Sequence, residues 1–455
     1  MTPNPHESDT HRFREDGDHR ASSAPRPGWM GPAVFTLLLG VVVWLGYSVA
    51  RRITGMTGPT PRHMYRDFFE FFSGAEAMLQ GKDIYEAGAL GYIYPPLLAF
   101  LLMPIATLGL PAAAWAWLGV QVVVYTAALW LGAKEIHRRF GLPLDALSVC
   151  GLILLALLLN IDKLRSELNM QQSNGILLLS FVLGLKWLDR RPVLCGLALA
   201  FGANLKYLTL IALPYLLIRR RWKAAGSLVV GTVAFALLPA LYLGWETNLE
   251  YISRAFGGLG HLVSDVETGD ASAKVFDADF GLSVPAFAAR FFGEAGQTTI
   301  SLGFVLLVGG VYCAAAWAIY LKRRTPLLAK RGGDAERREP APGIVAIEWA
   351  GLMILALAFS PQTNSRHFVI LLLPGMVAVA LLSVHKHRAS AWPLIIGCVV
   401  LVAGMSLPPG GQASEAAVDR WRSVSGSTWC MLFWYLTILW TGLGRVGWHR
   451  ESATS

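Results

Sequence analysis

Apolar runs recur along the chain at 30–50, 94–109, 112–133, 145–160, 173–188, 193–218, 224–243, 300–320, 343–359, 366–384, 393–408 and 428–445. Crossing a bilayer takes about 20 mostly apolar residues, and lipid admits only segments that satisfy their own backbone hydrogen bonds. These runs are therefore expected to be membrane helices. Two polar stretches, 51–91 and 245–297, are expected to be the larger loops between them. Within the first, 65–80 has no helix breaker except Gly74, and Phe68, Phe69, Phe71 and Phe72 are placed to anchor an interfacial helix at headgroup level.

Orientation follows from the short basic clusters that punctuate the apolar runs. Arg219, Arg220, Arg221 and Lys223, then 322–338, 385–388 and 445–450, belong on the cytoplasmic side by the positive-inside bias. The 245–297 loop carries Glu246, Glu250, Asp265, Glu267, Asp270, Asp277 and Asp279 against Arg254, Lys274 and Arg290, so nothing basic holds it inside and it is placed outside. Residues 134–139 and Asp189-Arg190-Arg191 also belong inside, yet simple alternation through every run puts them outside. Some segment between them does not cross. The candidates are 95–108, rich in proline, and 193–218, read as a hairpin of two short helices turning near Lys206. The expected architecture is an all-α polytopic membrane protein of roughly 11 to 13 transmembrane or re-entrant helices. It forms one transmembrane domain over 29–448, between a disordered cytoplasmic tail, 1–28, and a short cytoplasmic tail, 449–455.

Composition agrees: 54% of the residues are hydrophobic and 15% charged, and the mean hydropathy is +0.47. The net charge of +9 resides in the topological clusters, so it implies no nucleic-acid partner. Cys150, Cys195, Cys313, Cys398 and Cys430 fall singly in apolar runs, as packing residues do, without metal-ligand or disulfide spacing. No glycine-rich phosphate loop is present, no cofactor is implied and no metal is expected to be required, although Asp277 and Asp279 have the chemistry for weak cation binding.

Three places carry chemistry. Asp67 sits on the expected interfacial helix, where a carboxylate meets both lipid headgroup and water, as a base for deprotonating an acceptor hydroxyl must. It also fits a solvated polar face with Arg66 and Glu70, and Glu70 and Asp83 are the alternative acids. Lys206 is the one charged residue between Leu194 and Ile218, and an ionised lysine at a helix centre costs about 2.5–3.5 kcal/mol. It needs an anionic partner, either a bound phosphate or a carboxylate elsewhere in the chain, unless it snorkels to an interface. Arg366 and His367 follow Ser360-Pro361 at the mouth of a run, as a second wall of a site or as interfacial polar residues. Gln172 and Asn174 are amides fit to bind sugar hydroxyls or to cap a helix.

Taken in order, Asp67, Gly81-Lys82-Asp83-Ile84-Tyr85, Tyr94-Pro95-Pro96 leading to Pro104, Gln172-Ser173-Asn174, Lys206, and Ser360-Pro361 with His367 resemble the polyprenyl-phosphate-mannose-dependent mannosyltransferases. These form glycosyltransferase family 87 of the GT-C superfamily, and the likeness extends along most of the chain. It implies a GT-C-like helical bundle in a bacterial-type plasma membrane with the site on the extracytoplasmic side. It also implies Asp67 as the base, and a hexose, most often mannose, carried on polyprenyl phosphate and passed with inversion to a glycolipid or glycan acceptor. Lys206 would meet the donor phosphate, with Tyr94, Gln172, Asn174, Arg366 and His367 around the substrates. The chain departs from the family pattern at Gln171-Gln172-Ser173-Asn174, where Gly-Gln is common before the Asn, and at the single His367. It also keeps only part of a serine motif, in Gly281-Leu282-Ser283 with Arg290. Two rival classes share many spans and a buried charge. A transporter or lipid flippase would show repeated broken helices, and no second copy of the Tyr94-Pro95-Pro96 or Lys206 segments occurs. An O-antigen ligase or polymerase type of enzyme would lean on a late basic loop instead of Asp67.

Overall fold

The computed structural model describes residues 29–54, 66–89, 91–260, 281–292, 298–325, 342–361, 363–385, 391–405 and 412–443. The expected tails 1–28 and 449–455, with Asp265, Asp277, Asp279 and most of 322–338, lie outside them. All regular structure among the described residues is helical: α1 Met30–Thr54, α2 Arg66–Leu79, α3 Pro96–Ala106, α4 Leu110–Phe140, α5 Ala146–Met170, α6 Asn174–Trp187, α7 Pro192–Ala203, α8 Ala212–Ile218, α9 Trp222–Leu237 and α10 Ala240–Leu243. There follow α11 Trp245–Gly260, α12 Val284–Phe292, α13 Thr298–Lys322, α14 Pro342–Phe359, α15 Leu372–Val384, α16 Trp392–Met405, α17 Gln412–Ser423 and α18 Gly426–Gly442. Seven helices, or helix pairs in line, are long and apolar enough to cross a membrane, and five shorter apolar ones accompany them, which agrees with the expected bundle. The protein is an integral membrane protein.

One end of the bundle is tied by charge. Arg139 at the end of α4 bonds Glu135 (2.7 Å), Asp189 (2.9 Å) and the Leu185 carbonyl (2.7 Å), and Arg221 joins Asp189 at 2.9 Å. Arg219 pairs with Glu348 of α14, whose carboxylate also accepts from the Tyr215 and Tyr320 hydroxyls. This basic end gathers the turns that follow α4, α6 and α8. From it α7 rises 12 residues, or about 18 Å, well short of the roughly 30 Å core of a bilayer. The chain turns at Asn204, Leu205 and Lys206 and returns through a 3-10 turn, Tyr207–Ile211, and α8. The 193–218 stretch is thus the expected hairpin that does not cross.

Buried irregular backbone needs internal partners, and this turn has them. Asn204 Nδ2 donates to the Ala200 and Thr232 carbonyls, both at 3.0 Å, and the Thr209 hydroxyl donates to the Leu199 carbonyl at 2.7 Å. Glycine lets the hairpin seat closely: a Cβ on Gly196 would lie 2.6 Å from the Leu228 nitrogen of α9. The other non-crossing candidate, 95–108, forms α3, an 11-residue helix with Pro96 in its first turn and Pro104 inside it.

Two expectations change. The run read as 145–160 continues as helix to Met170, with a local kink where Asn160 leaves helical geometry (φ −135°, ψ 17°). The residues beyond the kink look polar in sequence, but Leu164, Glu167 and Leu168 share a buried stripe at helical spacing. The phenylalanines of α2 face the protein instead of the headgroups. Phe68, Phe71 and Phe72 are buried, Phe68 stacks on Trp117 of α4 and Phe71 meets Tyr94 edge-on at 5.0 Å, because α3 and α4 offer a dry aromatic surface beside that helix. By contrast α1 and α13 expose Leu37, Leu39, Leu302, Leu306 and Leu307, as helices facing lipid do.

Candidate functional site

The membrane-embedded turn carries Lys206 to a point where five separate pieces of chain meet. Lys206 Nζ donates to Asn174 Oδ1 at 2.7 Å and to Gln172 Oε1 at 3.0 Å, and lies 3.3 Å from His367 Nε2 and 5.3 Å from the centre of the Tyr94 ring. Gln172 in turn donates through Nε2 to Asp67 Oδ2 at 2.6 Å, and Arg366 closes an ion pair with the same oxygen. Asp67, Tyr94, Gln172, Asn174, Lys206, Arg366 and His367, spread over 301 positions from first to last, are therefore one cluster. Lys206, His367, Gln172 and Asn174 are buried, while Asp67 and Arg366 keep 15% and 25% of their side-chain surface exposed, so the cluster opens on the Asp67 side.

Local structure places each member. Asp67 is in the first turn of α2, aimed across at the corner between α5 and α6. That corner is sharp because Gln171 adopts the left-handed conformation (φ 53°) that ends α5, held by its Nε2 on the Ala114 carbonyl (3.1 Å) and by Trp117 Nε1 on its own carbonyl (2.8 Å). Gln172 and Asn174 then point their amides inward at Lys206 instead of capping α6, whose N-cap makes no side-chain bond. On the far wall, Asn364 Oδ1 accepts from the Arg366 amide and the Asn364 amide donates to His367 Nδ1, both at 3.1 Å. The loop holding them is anchored by the Leu282 amide on the Thr363 carbonyl (2.7 Å). Arg290 supports this anchor, donating to the Gly281 carbonyl and Ser425 Oγ, both at 2.7 Å. Thus the Gly281-Leu282-Ser283 and Arg290 pieces buttress the site without entering it.

Donor and acceptor chemistry gives the cluster a direction. A neutral imidazole has one acceptor nitrogen; with Nδ1 accepting from Asn364, its hydrogen is on Nε2, next to the Lys206 ammonium. Two donors brought side by side are complementary to one anionic oxygen. The Arg366 guanidinium, five donors in a planar fork, stands one residue away in sequence and engages Asp67. The Tyr94 ring faces the Lys206 ammonium and forms a further wall of the cluster. The arrangement is one partly exposed carboxylate, Asp67, beside the Arg366 guanidinium and the buried Lys206 ammonium.

The alternative acids are engaged elsewhere. Glu70 is buried and accepts from the Ala89 amide at 3.1 Å, beneath Gly88, whose φ of +90° brings the backbone against that carboxylate. Asp83 makes a turn with the Tyr85 amide (2.9 Å) and pairs with Arg254 (2.6 Å), which locks the first loop onto α11. Sequence reasoning missed Glu167. It is fully buried in the last turn of α5, and its two oxygens accept from the Asn174 backbone and side chain, both at 2.9 Å. Glu167 stands behind Lys206, with the Asn174 side chain bonded to both. Its signal was the helical stripe Leu164, Glu167 and Leu168, hidden because the apolar run seemed to stop near Asn160.

The sequence model of glycosyltransferase family 87 matches residues 92–333, which include Tyr94, Gln172, Asn174 and Lys206. Two curated proteins are similar over nearly the whole chain. Both are polyprenol-phosphate-mannose-dependent alpha-(1-2)-phosphatidylinositol mannoside mannosyltransferases. The one from Mycobacterium tuberculosis (strain ATCC 25618 / H37Rv) is 26% identical over 442 residues, 90% of this chain and 93% of that protein. The one from Mycolicibacterium smegmatis (strain ATCC 700084 / mc(2)155) is 24% identical over 446 residues, 92% and 90% of the two chains. No solved structure matches the chain.

Proposed function

Because the chain belongs to glycosyltransferase family 87 and is a membrane hexosyltransferase, we propose that it transfers mannose from a polyprenyl-phosphate donor, with Asp67 as the general base. The observation that carries this reading is the contact of Asp67 with Arg366 and Gln172 beside the buried ammonium of Lys206. A sugar on a lipid phosphate already has a good leaving group, so one base and an anion clamp suffice, without a general acid or a covalent enzyme intermediate. The acceptor oxygen attacks the anomeric carbon as its proton passes to Asp67, the bond from that carbon to the phosphate oxygen breaks, and the electron pair leaves with the phosphate. The configuration inverts in this single displacement.

Charge inventory supports the pairing. The donor phosphodiester carries one negative charge and the leaving phosphate carries two, while Asp67 loses its own charge on taking the proton. Negative charge therefore moves from Asp67 to the phosphate, and Arg366, held by Asp67 in this structure, is placed to follow it. Clamps of this kind act most strongly where water is excluded. The basic end of the bundle belongs in the cytoplasm by the positive-inside bias, which puts the site toward the extracytoplasmic face of a bacterial-type plasma membrane. By analogy with the two relatives, the acceptor is a phosphatidylinositol mannoside or a similar glycolipid.

Membranes from cells overproducing the wild type and Asp67→Asn, supplied with radiolabelled polyprenyl-phosphate mannose and phosphatidylinositol mannoside, test this. A positioned base contributes about 10²–10⁴ in rate, so the variant is expected to lose at least about 100-fold while remaining in the membrane. Near wild-type transfer by Asp67→Asn would sink the assignment, and labelling from GDP-mannose alone, with lipid-linked sugar synthesis blocked, would sink the donor class.

A further inference from the structure

Glu167 has no part in the steps above, yet it is the most completely enclosed acid beside the site. A carboxylate without water is costly unless it is bonded and charge-balanced. Each of its oxygens accepts from Asn174, one from the backbone amide and one from the side-chain Nδ2. An amide group has a donor end and an acceptor end. With the donor end turned to Glu167, the acceptor end, Oδ1, is forced toward Lys206, which it meets at 2.7 Å. Tyr125 packs against Gly175 next in the chain, where a Cβ would lie 2.7 Å from the ring, so the start of α6 has no room to adjust.

We propose that Glu167 is a positioning residue that, through the oriented amide of Asn174, holds the Lys206 ammonium in place for the donor phosphate. The inference rests on the reading of Lys206 as a phosphate contact. Its chemistry is a directional relay: carboxylate, amide, ammonium, anion. Glu167 balances the charge of Lys206 from behind, and Asn174 and Gln172 take two of the ammonium hydrogens, leaving the third for the ligand beside His367 Nε2. A lysine on a flexible stem becomes a fixed donor, which is what binding and stabilising a growing negative charge both require.

The polarity of the relay makes a reciprocal exchange the decisive test. In Glu167→Gln, Oε1 still accepts from the Asn174 backbone, but the new amide nitrogen faces Asn174 Nδ2, donor against donor. The conflict is relieved only when Asn174 flips and presents its nitrogen to Lys206. Asn174→Asp alone sets two carboxylates against one another. In the double variant E167Q/N174D the new amide nitrogen donates to one oxygen of the new carboxylate, whose other oxygen accepts from Lys206, and every bond and the net charge are restored.

The readout is the affinity of the purified full-length chain for polyprenyl phosphate, with uncharged polyprenol as control, together with transfer rates. Each single variant is expected to bind polyprenyl phosphate at least about tenfold more weakly, the loss of one charge-assisted contact, with polyprenol binding unchanged. The double variant is expected to return to within about threefold of wild type. Unchanged phosphate affinity in Glu167→Gln, equal losses for polyprenol, or a double variant as poor as its worse parent would each overturn the proposal. If Glu167→Gln cannot be produced, recovery of Asn174→Asp by the added exchange decides alone. A wild type that binds no polyprenyl phosphate instead defeats the parent reading of the site.

Discussion

At the scale of the residue, Lys206 gathers most of the site's meaning. The sequence showed that a lone cation among apolar residues needs a partner, and left open whether that partner was a ligand or the protein itself. The structure supplies Gln172 and Asn174 as direct partners and Glu167 behind them. Removing one member of a buried charged set leaves the rest uncompensated, at about 3–5 kcal/mol. Lys206→Met is therefore expected to lower the melting temperature of the purified protein and to cut donor kcat/KM by at least about 100-fold. Lys206→Met combined with Glu167→Gln is expected to regain stability without regaining activity. Arg366 and His367 were legible as polar residues at a span mouth. The bond from the Asn364 amide to His367 Nδ1, which orients the ring toward Lys206, was not legible.

At the scale of the element, the distinction that mattered was between helices that cross and helices that stop halfway. Composition alone makes 193–218 look like a single long span; the basic flanks made it one of two candidates, with 95–108, for a segment that does not cross, and the structure shows the turn at Lys206. What the hairpin needs is a smooth face against α9, and Gly196 provides it where α7 lies on the α9 backbone. Small residues permit this kind of close helix approach in membranes. Gly196→Ala is expected to push α7 away and to cost about 1–3 kcal/mol, seen as a lower melting temperature. A reduced affinity for polyprenyl phosphate should follow, since Lys206 hangs from the tip of the same hairpin. Gly226→Ala, on α9 with open space around its Cβ position, is the control and is expected to change neither.

At the scale of the whole molecule, two ends with different chemistry give the bundle its function. Arg139, Asp189, Arg221, Arg219 and Glu348 lock one end with ion pairs. The site lies toward the other: along α4, Gln121 touches the Gln172 carbonyl and Arg139 touches Asp189. Those 18 residues correspond to about 27 Å of helix. This polarity makes sidedness testable in a cysteine-free background. Lys82→Cys, exposed in the first loop, is expected to react with a membrane-impermeant maleimide added to intact cells, and Arg190→Cys only after the membrane is opened. The reverse pattern would place the site on the cytoplasmic face.

The sequence by itself determined the solvent of this protein, the positions of nearly all its membrane helices, two candidates for the segment that does not cross and the residue types that meet in the site, because lipid punishes every polar group that lacks a reason to be there. It could not show which of those groups touch. Asp67 and Arg366, 299 residues apart, share an ion pair only because the α5–α6 corner, the α7 hairpin and the loop before α15 converge. Nor could it reveal Glu167, whose apolar stripe resumes beyond the kink at Asn160. Periodicity reports which side of a helix is buried, but the partner waiting on that side is set by how the helices pack.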